Sequence, residues 1–144
     1  MPLRPFALLL VSTVFTHAAQ AEVHEVKMLN RGAEGSMVYE PDYLRIAPGD
    51  TVRFLPSQSG HNAASVPGLL PAGAEAFMSR LNQPFEHSFT VPGTYGVQCI
   101  PHVAMGMVML IQVGDAQATP IPGNLPTRAK DRFAAQLSKL EAAR

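Results

Sequence analysis

Apolar residues recur at short, strand-like intervals through most of this 144-residue chain. Residues 51–55 and 85–91 alternate apolar and polar side chains, a pattern typical of a β-strand with one buried face. Residues 107–113 form a nearly unbroken apolar run, which predicts a strand buried on both faces. Further short apolar segments lie at 23–29, 37–39, 43–46, 60–66 and 95–99. Turn residues separate these segments, so the pattern predicts an all-β, antiparallel two-sheet sandwich of seven or eight strands with Greek-key connections.

The N-terminal end departs from this pattern. Residues 1–21 contain Arg4, an apolar run over residues 6–15 and a small-x-small cleavage site that ends at Ala21, which is typical of a secretory signal peptide. The apolar run is too short to span a bilayer. We therefore expect a mature chain that begins at Glu22, has no membrane span and is exported.

The C-terminal segment, residues 115–144, also differs from the rest. After a proline-rich stretch, a helical pattern begins at Thr127 and places its large apolar residues on one face: Ala129, Phe133, Leu137 and Leu140. We expect this C-terminal helical extension to pack on a sandwich formed by residues 22–114. Residues 72–81 contain helix formers but are few, so they predict at most one or two helical turns.

Composition argues against several classes of function. Eleven Lys and Arg balance 11 Asp and Glu, and the basic residues are not clustered, so no nucleic-acid surface is predicted. The chain contains neither a glycine-rich phosphate loop nor a Gly-x-Ser-x-Gly turn. The usual enzyme signatures are therefore missing, and we expect a monomeric protein without catalytic residues.

A single cysteine draws attention to one loop. Cys99 is the only cysteine, His102 follows three residues later, and Met107 follows five residues after that. In an oxidising compartment, a lone cysteine must be buried, joined to another chain or bound to something. A thiolate, an imidazole and a thioether in one short loop are soft ligands that suit copper. The loop therefore predicts a mononuclear copper site whose fourth ligand is a histidine from upstream.

Three histidines could supply that fourth ligand. His61 is the best candidate, because it lies at a strand edge and precedes Asn62, which can support it by hydrogen bonds. His87 shares its strand parity with apolar residues and His24 lies near the mature N-terminus, so we expect both to be structural. Two histidines and a thiolate with a weak axial thioether form the blue-copper arrangement.

Each of these residues has a plainer role if it is considered alone. Cys99 could be a buried thiol, His102 an exposed loop residue and Met107 a core residue. Zinc could use Cys99, His61 and His102, but the position of Met107 would then be unexplained. Four protein ligands leave no open position for a substrate, which favours electron transfer over catalysis. A copper-buffering protein, which would need an open or Met-rich site, is the alternative.

The motif Cys99-x-x-His102-x-x-x-x-Met107, together with Gly60-His61-Asn62, resembles the type I copper site of the cupredoxins. The spacing is similar to that of the pseudoazurin branch, and so are residues 27–30, 37–41, 47–52, 73–77 and the helical tail. The resemblance implies a cupredoxin-like sandwich of eight strands with two C-terminal helices and one copper ion. It also implies a periplasmic carrier that passes single electrons, in transient complexes, to a copper-containing nitrite reductase or a similar acceptor.

The same resemblance implies roles for the neighbours of the site. The backbone N–H of Asn62 would point at the sulfur of Cys99, whereas Pro101 has no N–H to donate to the thiolate. Apart from the resemblance, we expect His102 to be the electron port, with its ring edge reaching solvent through an apolar docking rim. The expected rim residues are Met37, Pro101 and Met105, with Leu69 and Leu70 as further candidates.

One departure from the family pattern concerns charge. Pseudoazurins typically surround the copper end with lysines, whereas Ser59, Met78 and Gln98 occupy positions where several of these would fall. Over residues 22–113, eight acidic residues outnumber five basic ones. Long-range steering toward an acidic partner should therefore be weaker.

Overall fold

The computed structural model describes residues 20–143, so nearly all of the predicted signal peptide lies outside the described residues. The strands follow in chain order: β1 (Val23–Gly32), β2 (Gly35–Glu40), β3 (Tyr43–Ile46), β4 (Thr51–Leu55), β5 (Ala64–Ser65), β6 (Phe85–Ser88), β7 (Gly93–Gln98) and β8 (Val108–Val113). A 3-10 helix (Ile100–Met105) lies between β7 and β8, and helix α1 (Thr127–Ala142) follows the last strand. One sheet has the strand order β2-β1-β4-β6 and the other β3-β8-β7-β5. The predicted two-sheet sandwich is confirmed.

The sheets are mixed, which differs from the antiparallel prediction. Strand β1 pairs with β4 in parallel, and β3 pairs with β8 in parallel, while the remaining pairs are antiparallel. Alternation of apolar residues indicates which face of a strand is buried but not which strand lies beside it. The pattern of apolar residues therefore could not predict that β1 pairs with β4, or β3 with β8, in parallel.

Strand β8 is buried on both faces, as its apolar run predicts. Met109, Ile111 and Val113 belong to the core between the sheets. Val108 and Leu110 belong to a second apolar cluster, on the outer face of the same sheet. Helix α1 covers that face with its predicted apolar residues, which include Ala129, Phe133 and Leu140. The C-terminal helix therefore packs directly on the strand that follows the candidate metal loop.

One helical expectation differs from the structure. Among the described residues, α1 is the only α-helix, so one of the two C-terminal helices implied by the resemblance is not present there. Residues 72–81 form turns and one isolated bridge between Ala64 and Met78, which is within the expected limit of one or two helical turns. Between residues 20 and 143, no helix is both long and apolar enough to cross a membrane.

Candidate metal centre

Local hydrogen bonds shape the loop that carries three of the candidate ligands. Cys99 lies at the N-cap of the 3-10 helix, and Gly106 ends that helix with a φ of 87°, a left-handed conformation that favours glycine. The N–H of Cys99 donates to the carbonyl of Met107 at 3.0 Å, and the N–H of Met107 donates to the carbonyl of His102 at 3.1 Å. The backbone thus closes the loop and holds the three candidate ligands in one turn.

His61 reaches the loop from the segment between β4 and β5. Its side chain is fully buried, and its carbonyl accepts the N–H of Asn82 at 2.9 Å. Asn82 also accepts the N–H of Gly60 through Oδ1 at 2.6 Å. Gly60 has a φ of 101°, a conformation that side chains other than glycine rarely adopt. These bonds fix the backbone on both sides of His61.

Three candidate donor atoms converge. Nδ1 of His61 lies 3.2 Å from Nδ1 of His102, and Sγ of Cys99 lies 3.7 Å and 3.5 Å from these two nitrogens. A point equidistant from the corners of a triangle with these sides lies about 2.0 Å from each atom, close to usual metal–nitrogen bond lengths and slightly short for metal–sulfur bonds. The three residues therefore fit a single metal ion.

Burial shifts the pKa of two of these donors, Cys99 and His61. It raises the pKa of the Cys99 thiol, and the backbone N–H groups of Asn62 and His102 partly offset this effect. Burial, and then the neighbouring His102, lower the pKa of His61. The Nε2 atom of His61 is buried without a hydrogen-bond partner, so Nδ1 is the nitrogen that faces the other donors. The lowered pKa favours the neutral form of the His61 imidazole, which is the form that binds a metal ion.

Met107 lies in the same buried cluster as Cys99. Both side chains are fully buried, and Met37 packs against the cluster from the edge. Thiolate, thioether and two imidazoles together suit copper better than zinc, because zinc binds thioethers poorly. The donor set therefore fits a single type I copper ion, and Met107 is the candidate for the fourth ligand.

Asn62 joins the two segments that carry the donors. Its Oδ1 accepts the N–H of Ile100 at 2.8 Å, and its Nδ2 donates to the carbonyl of Ser79 at 3.3 Å. The hydroxyl of Tyr39, itself fully buried, donates to the carbonyl of Asn62 at 2.7 Å. Sequence reasoning missed Tyr39 and Ser79, because neither lies near a candidate ligand in the chain.

The expected rim residues differ in exposure. Pro101 is exposed, Met105 is 43% exposed, and Met37 and His102 are half-buried. Leu69 is fully buried in the cluster beneath α1, so its suggested place in the rim is wrong. Leu70 is half-buried and packs on the core, whereas Ile100, which the sequence did not suggest, is 48% exposed.

The other two histidines lie away from these donors. The ring of His87 packs at 4.3 Å from that of Phe77 and at 4.8 Å from that of Phe89, so it fills an apolar edge of the sheet. Nε2 of His24 lies 2.9 Å from Oδ2 of Asp50, at the start of β1 and β4. His61 belongs to the loop that follows the other end of β4, so His24 is at the far end of the sheet.

Comparisons with known proteins identify the class. A profile of copper binding proteins of the plastocyanin/azurin family matches residues 26–114. The pseudoazurin of Paracoccus pantotrophus is 42% identical over 83% of this chain and 85% of its own length. The crystal structure of pseudoazurin from Methylobacterium extorquens AM1 superimposes with a TM-score of 0.71 and 36% identity, over 80% of this chain and 98% of that one. Native pseudoazurin from Hyphomicrobium denitrificans gives a TM-score of 0.72 and 32% identity, over 81% of this chain and 97% of that one.

The chain therefore belongs to the copper-binding plastocyanin/azurin family and, within it, to the pseudoazurins. It is a blue copper electron carrier with a single copper ion, and it is not an enzyme. The copper interpretation of the sequence is confirmed over the zinc alternative.

Proposed function

We propose that this chain is exported to the periplasm and holds its copper through His61, Cys99, His102 and Met107. The observation that carries the ligand assignment is the convergence of three donor atoms 3.2 to 3.7 Å apart. Met107 completes the set, because it is buried in the same cluster and its backbone pairs with Cys99 and His102. Copper supplies a one-electron couple that this mixed nitrogen and sulfur set can hold in both oxidation states.

The protein contributes rigidity to this function. Cys99 is anchored by β7 and by its hydrogen bond to Met107, while His61 is anchored by Asn82. Fixed ligands limit the rearrangement that accompanies a change of oxidation state, and the surrounding hydrogen bonds tune the sulfur. A site built in this way favours rapid transfer of single electrons over metal exchange, which distinguishes it from a copper buffer.

His102 is the proposed electron port. It is half-buried beside the exposed residues Pro101 and Met105, whereas His61 is fully buried. Met37 completes a small, weakly charged docking rim around it. Such a rim suits brief complexes, in which a copper-containing nitrite reductase or a similar redox protein accepts the electron.

The ligand assignment is tested by copper loading and an optical spectrum. We expect a strong thiolate-to-copper absorption near about 600 nm and one copper per chain in the unmodified protein. Cys99→Ser should abolish the band while the metal-free fold is retained, because a core of this size does not need the metal. His24→Gln is the matched control and should keep the full band. A colourless copper-loaded protein would contradict the assignment.

Export is tested separately. The proposed cleavage after Ala21 predicts a mature N-terminus at Glu22, the residue directly before strand β1. N-terminal sequencing and mass measurement of protein recovered from a periplasmic fraction would check this. Recovery of only the unprocessed chain in the cytoplasmic fraction would contradict it.

A further inference from the structure

Helix α1 holds the backbone on both sides of Met107. Arg132 donates through Nη1 to the carbonyl of Gly106 at 2.9 Å, and Gln136, one turn later, donates through Nε2 to the carbonyl of Val108 at 2.9 Å. Residues four apart lie on the same face of a helix. The two side chains therefore hydrogen-bond to the residues that directly precede and follow Met107.

Arg132 also reaches the β1–β2 hairpin. Its Nη1 donates to the carbonyl of Met37 at 2.6 Å, and its Nη2 donates to the carbonyl of Ser36 at 2.8 Å. Met37 has a φ of 52°, which is rare for a residue other than glycine and requires support from its surroundings. One guanidinium thus joins a docking-rim residue, the ligand loop and the C-terminal helix.

The contact between α1 and the loop is close. A Cβ atom added to Gly106 would lie 3.2 Å from the carbonyl oxygen of Arg128 and 3.2 Å from Cδ of Arg132. Gln136 is only 1% exposed, and its Oε1 is buried without a hydrogen-bond partner. A buried oxygen without a hydrogen-bond partner lowers the stability of the fold, so the favourable contribution of Gln136 comes from its Nε2, which donates to Val108. The helix is therefore fitted to this stretch of backbone.

We propose that Arg132 and Gln136 are positioning residues that set the place of Met107 in the copper site and couple it to Met37 in the docking rim. Arg132 is suited to this role because its planar fork can bind several carbonyl oxygens at once, which a lysine ammonium at the same place cannot match. The inference rests on the proposed role of Met107 as a copper ligand. In a blue copper site, a weak thioether bond to the metal is one of the features that tune the reduction potential.

The test compares Arg132→Lys and Arg132→Gln with Arg128→Gln. Arg128 lies one turn earlier on α1 and is exposed. Arg128→Gln therefore removes one positive charge from the helix, as Arg132→Gln does, but leaves the Arg132 guanidinium and its hydrogen bonds in place. In the copper-loaded protein, we expect both Arg132 variants to shift the reduction potential and the relative strengths of the thiolate-to-copper bands. Arg128→Gln should shift neither. Arg132→Lys keeps the positive charge but removes the planar guanidinium, so a shift in this variant is due to the lost guanidinium hydrogen bonds and not to lost charge.

A second readout uses the metal-free protein. The N–H of Met107 donates to the carbonyl of His102, and its hydrogen exchange reports the opening of the loop. We expect both Arg132 variants and Gln136→Leu to speed this exchange by about tenfold or more, relative to core amides of β7 in the same variant. If Arg132→Gln does not fold, Arg132→Lys and Gln136→Leu carry the test.

Two outcomes would overturn the proposal. One is that the Arg132 variants match Arg128→Gln in spectrum and potential, and the other is that exchange at Met107 rises no more than in the core. Met107→Leu separates this proposal from the ligand assignment. If Met107→Leu leaves the spectrum unchanged, Met107 is not a ligand and the ligand assignment fails; if it changes the spectrum while the Arg132 variants do not, only the positioning role fails.

Discussion

Asn62 and Ile100 are joined by a 2.8 Å hydrogen bond from the N–H of Ile100 to Oδ1 of Asn62, across 38 positions of sequence. Each residue directly follows a proposed copper ligand, His61 in one case and Cys99 in the other. The bond therefore holds the segment that contains His61 at a fixed distance from the loop that contains Cys99. It also makes Asn62 a structural residue whether or not metal is present.

Replacement of Asn62 by alanine should destabilise the metal-free protein by about 1–3 kcal/mol, because the buried carbonyl of Ser79 and the N–H of Ile100 lose their partner. Urea unfolding of the metal-free protein measures this change in free energy. Asn124→Ala, in an exposed loop, is the control and should change stability by less than about 0.5 kcal/mol. Equal effects of the two substitutions would show that the Asn62 bonds contribute little.

Tyr39→Phe should also lower the stability of the metal-free protein, although Tyr39 is not a proposed ligand. The phenol donates to the carbonyl of Asn62 at 2.7 Å in a fully buried position, and burial raises its pKa well above the usual value. Removal of the hydroxyl leaves a buried carbonyl with one partner fewer, so we expect a loss of about 1–2 kcal/mol in the free energy of unfolding. Tyr43→Phe, at a half-buried position, is the control. A Tyr39→Phe protein as stable as the Tyr43→Phe protein would contradict this account.

The fold was largely predictable because burial follows the alternation of side chains. Phe54 and Phe89 lie in the core as their strand parity predicts, and the unbroken run of β8 is buried on both faces. Pairing was less predictable. The parallel neighbours β1 and β4 are separated by two intervening strands, and no local pattern indicates which distant strand lies beside another.

The metal centre was predictable from one loop, because Cys99, His102 and Met107 are close in sequence and few side chains share their chemistry. The residues that support it were not. Arg132 lies on the charged side of an amphipathic helix, where its pattern is that of a solvent-exposed residue, yet it donates to Met37, 95 positions away. Leu69 is apolar and near His61 in sequence, which suggests a place in the rim, whereas the structure buries it beneath α1.

Stability should depend on pH through Asp50, which is 4% exposed. The N–H of Glu22, the side chain of His24 and the N–H of Ala47 lower its pKa below the usual 3.8, against the opposing effect of burial. Because the folded state favours the ionised carboxylate, its contribution is present above about pH 4 and is lost as pH falls through 3.8 toward the lower folded value.

Asp50→Asn should therefore lower stability at neutral pH and flatten the loss of stability below about pH 4. Urea unfolding of the metal-free protein at several pH values measures both effects. Asp131→Asn, at an exposed position on α1, is the control and should leave the acid limb unchanged. An acid limb that is equally steep with and without Asp50 would rule out this carboxylate as its source.

The proposed cleavage after Ala21 should itself strengthen the Asp50 contact. The backbone nitrogen of Glu22 lies 2.9 Å from Oδ1 of Asp50, and in a chain that begins at Glu22 this nitrogen is a charged α-ammonium group. Charge-assisted hydrogen bonds are about twice as strong as neutral ones, so the processed chain should be about 1 kcal/mol more stable than a chain that retains Gln20 and Ala21. Unfolding of both chains, each with and without the Asp50→Asn substitution, forms a double-mutant cycle. The difference should vanish when Asp50→Asn is present; if it persists there, the carboxylate of Asp50 is not its cause.

Partner association should respond to charge at the copper end. Met78 is 69% exposed, Ser59 is exposed and Gln98 is half-buried, at positions where the resemblance to pseudoazurins leads us to expect lysines. The variant Ser59→Lys/Met78→Lys/Gln98→Lys should react faster with an acidic copper-containing nitrite reductase, by about tenfold at low ionic strength, because opposite charges steer diffusional encounter. Stopped-flow oxidation at about 0.02 M and 0.2 M salt measures this rate, and the difference in rate between the variant and the unmodified protein should shrink at the higher salt.

The variant Ser59→Gln/Met78→Gln, which has glutamine at all three positions, controls for the change of side-chain size. Identical salt dependence in the unmodified and lysine proteins would show that docking depends on the apolar rim around His102 alone.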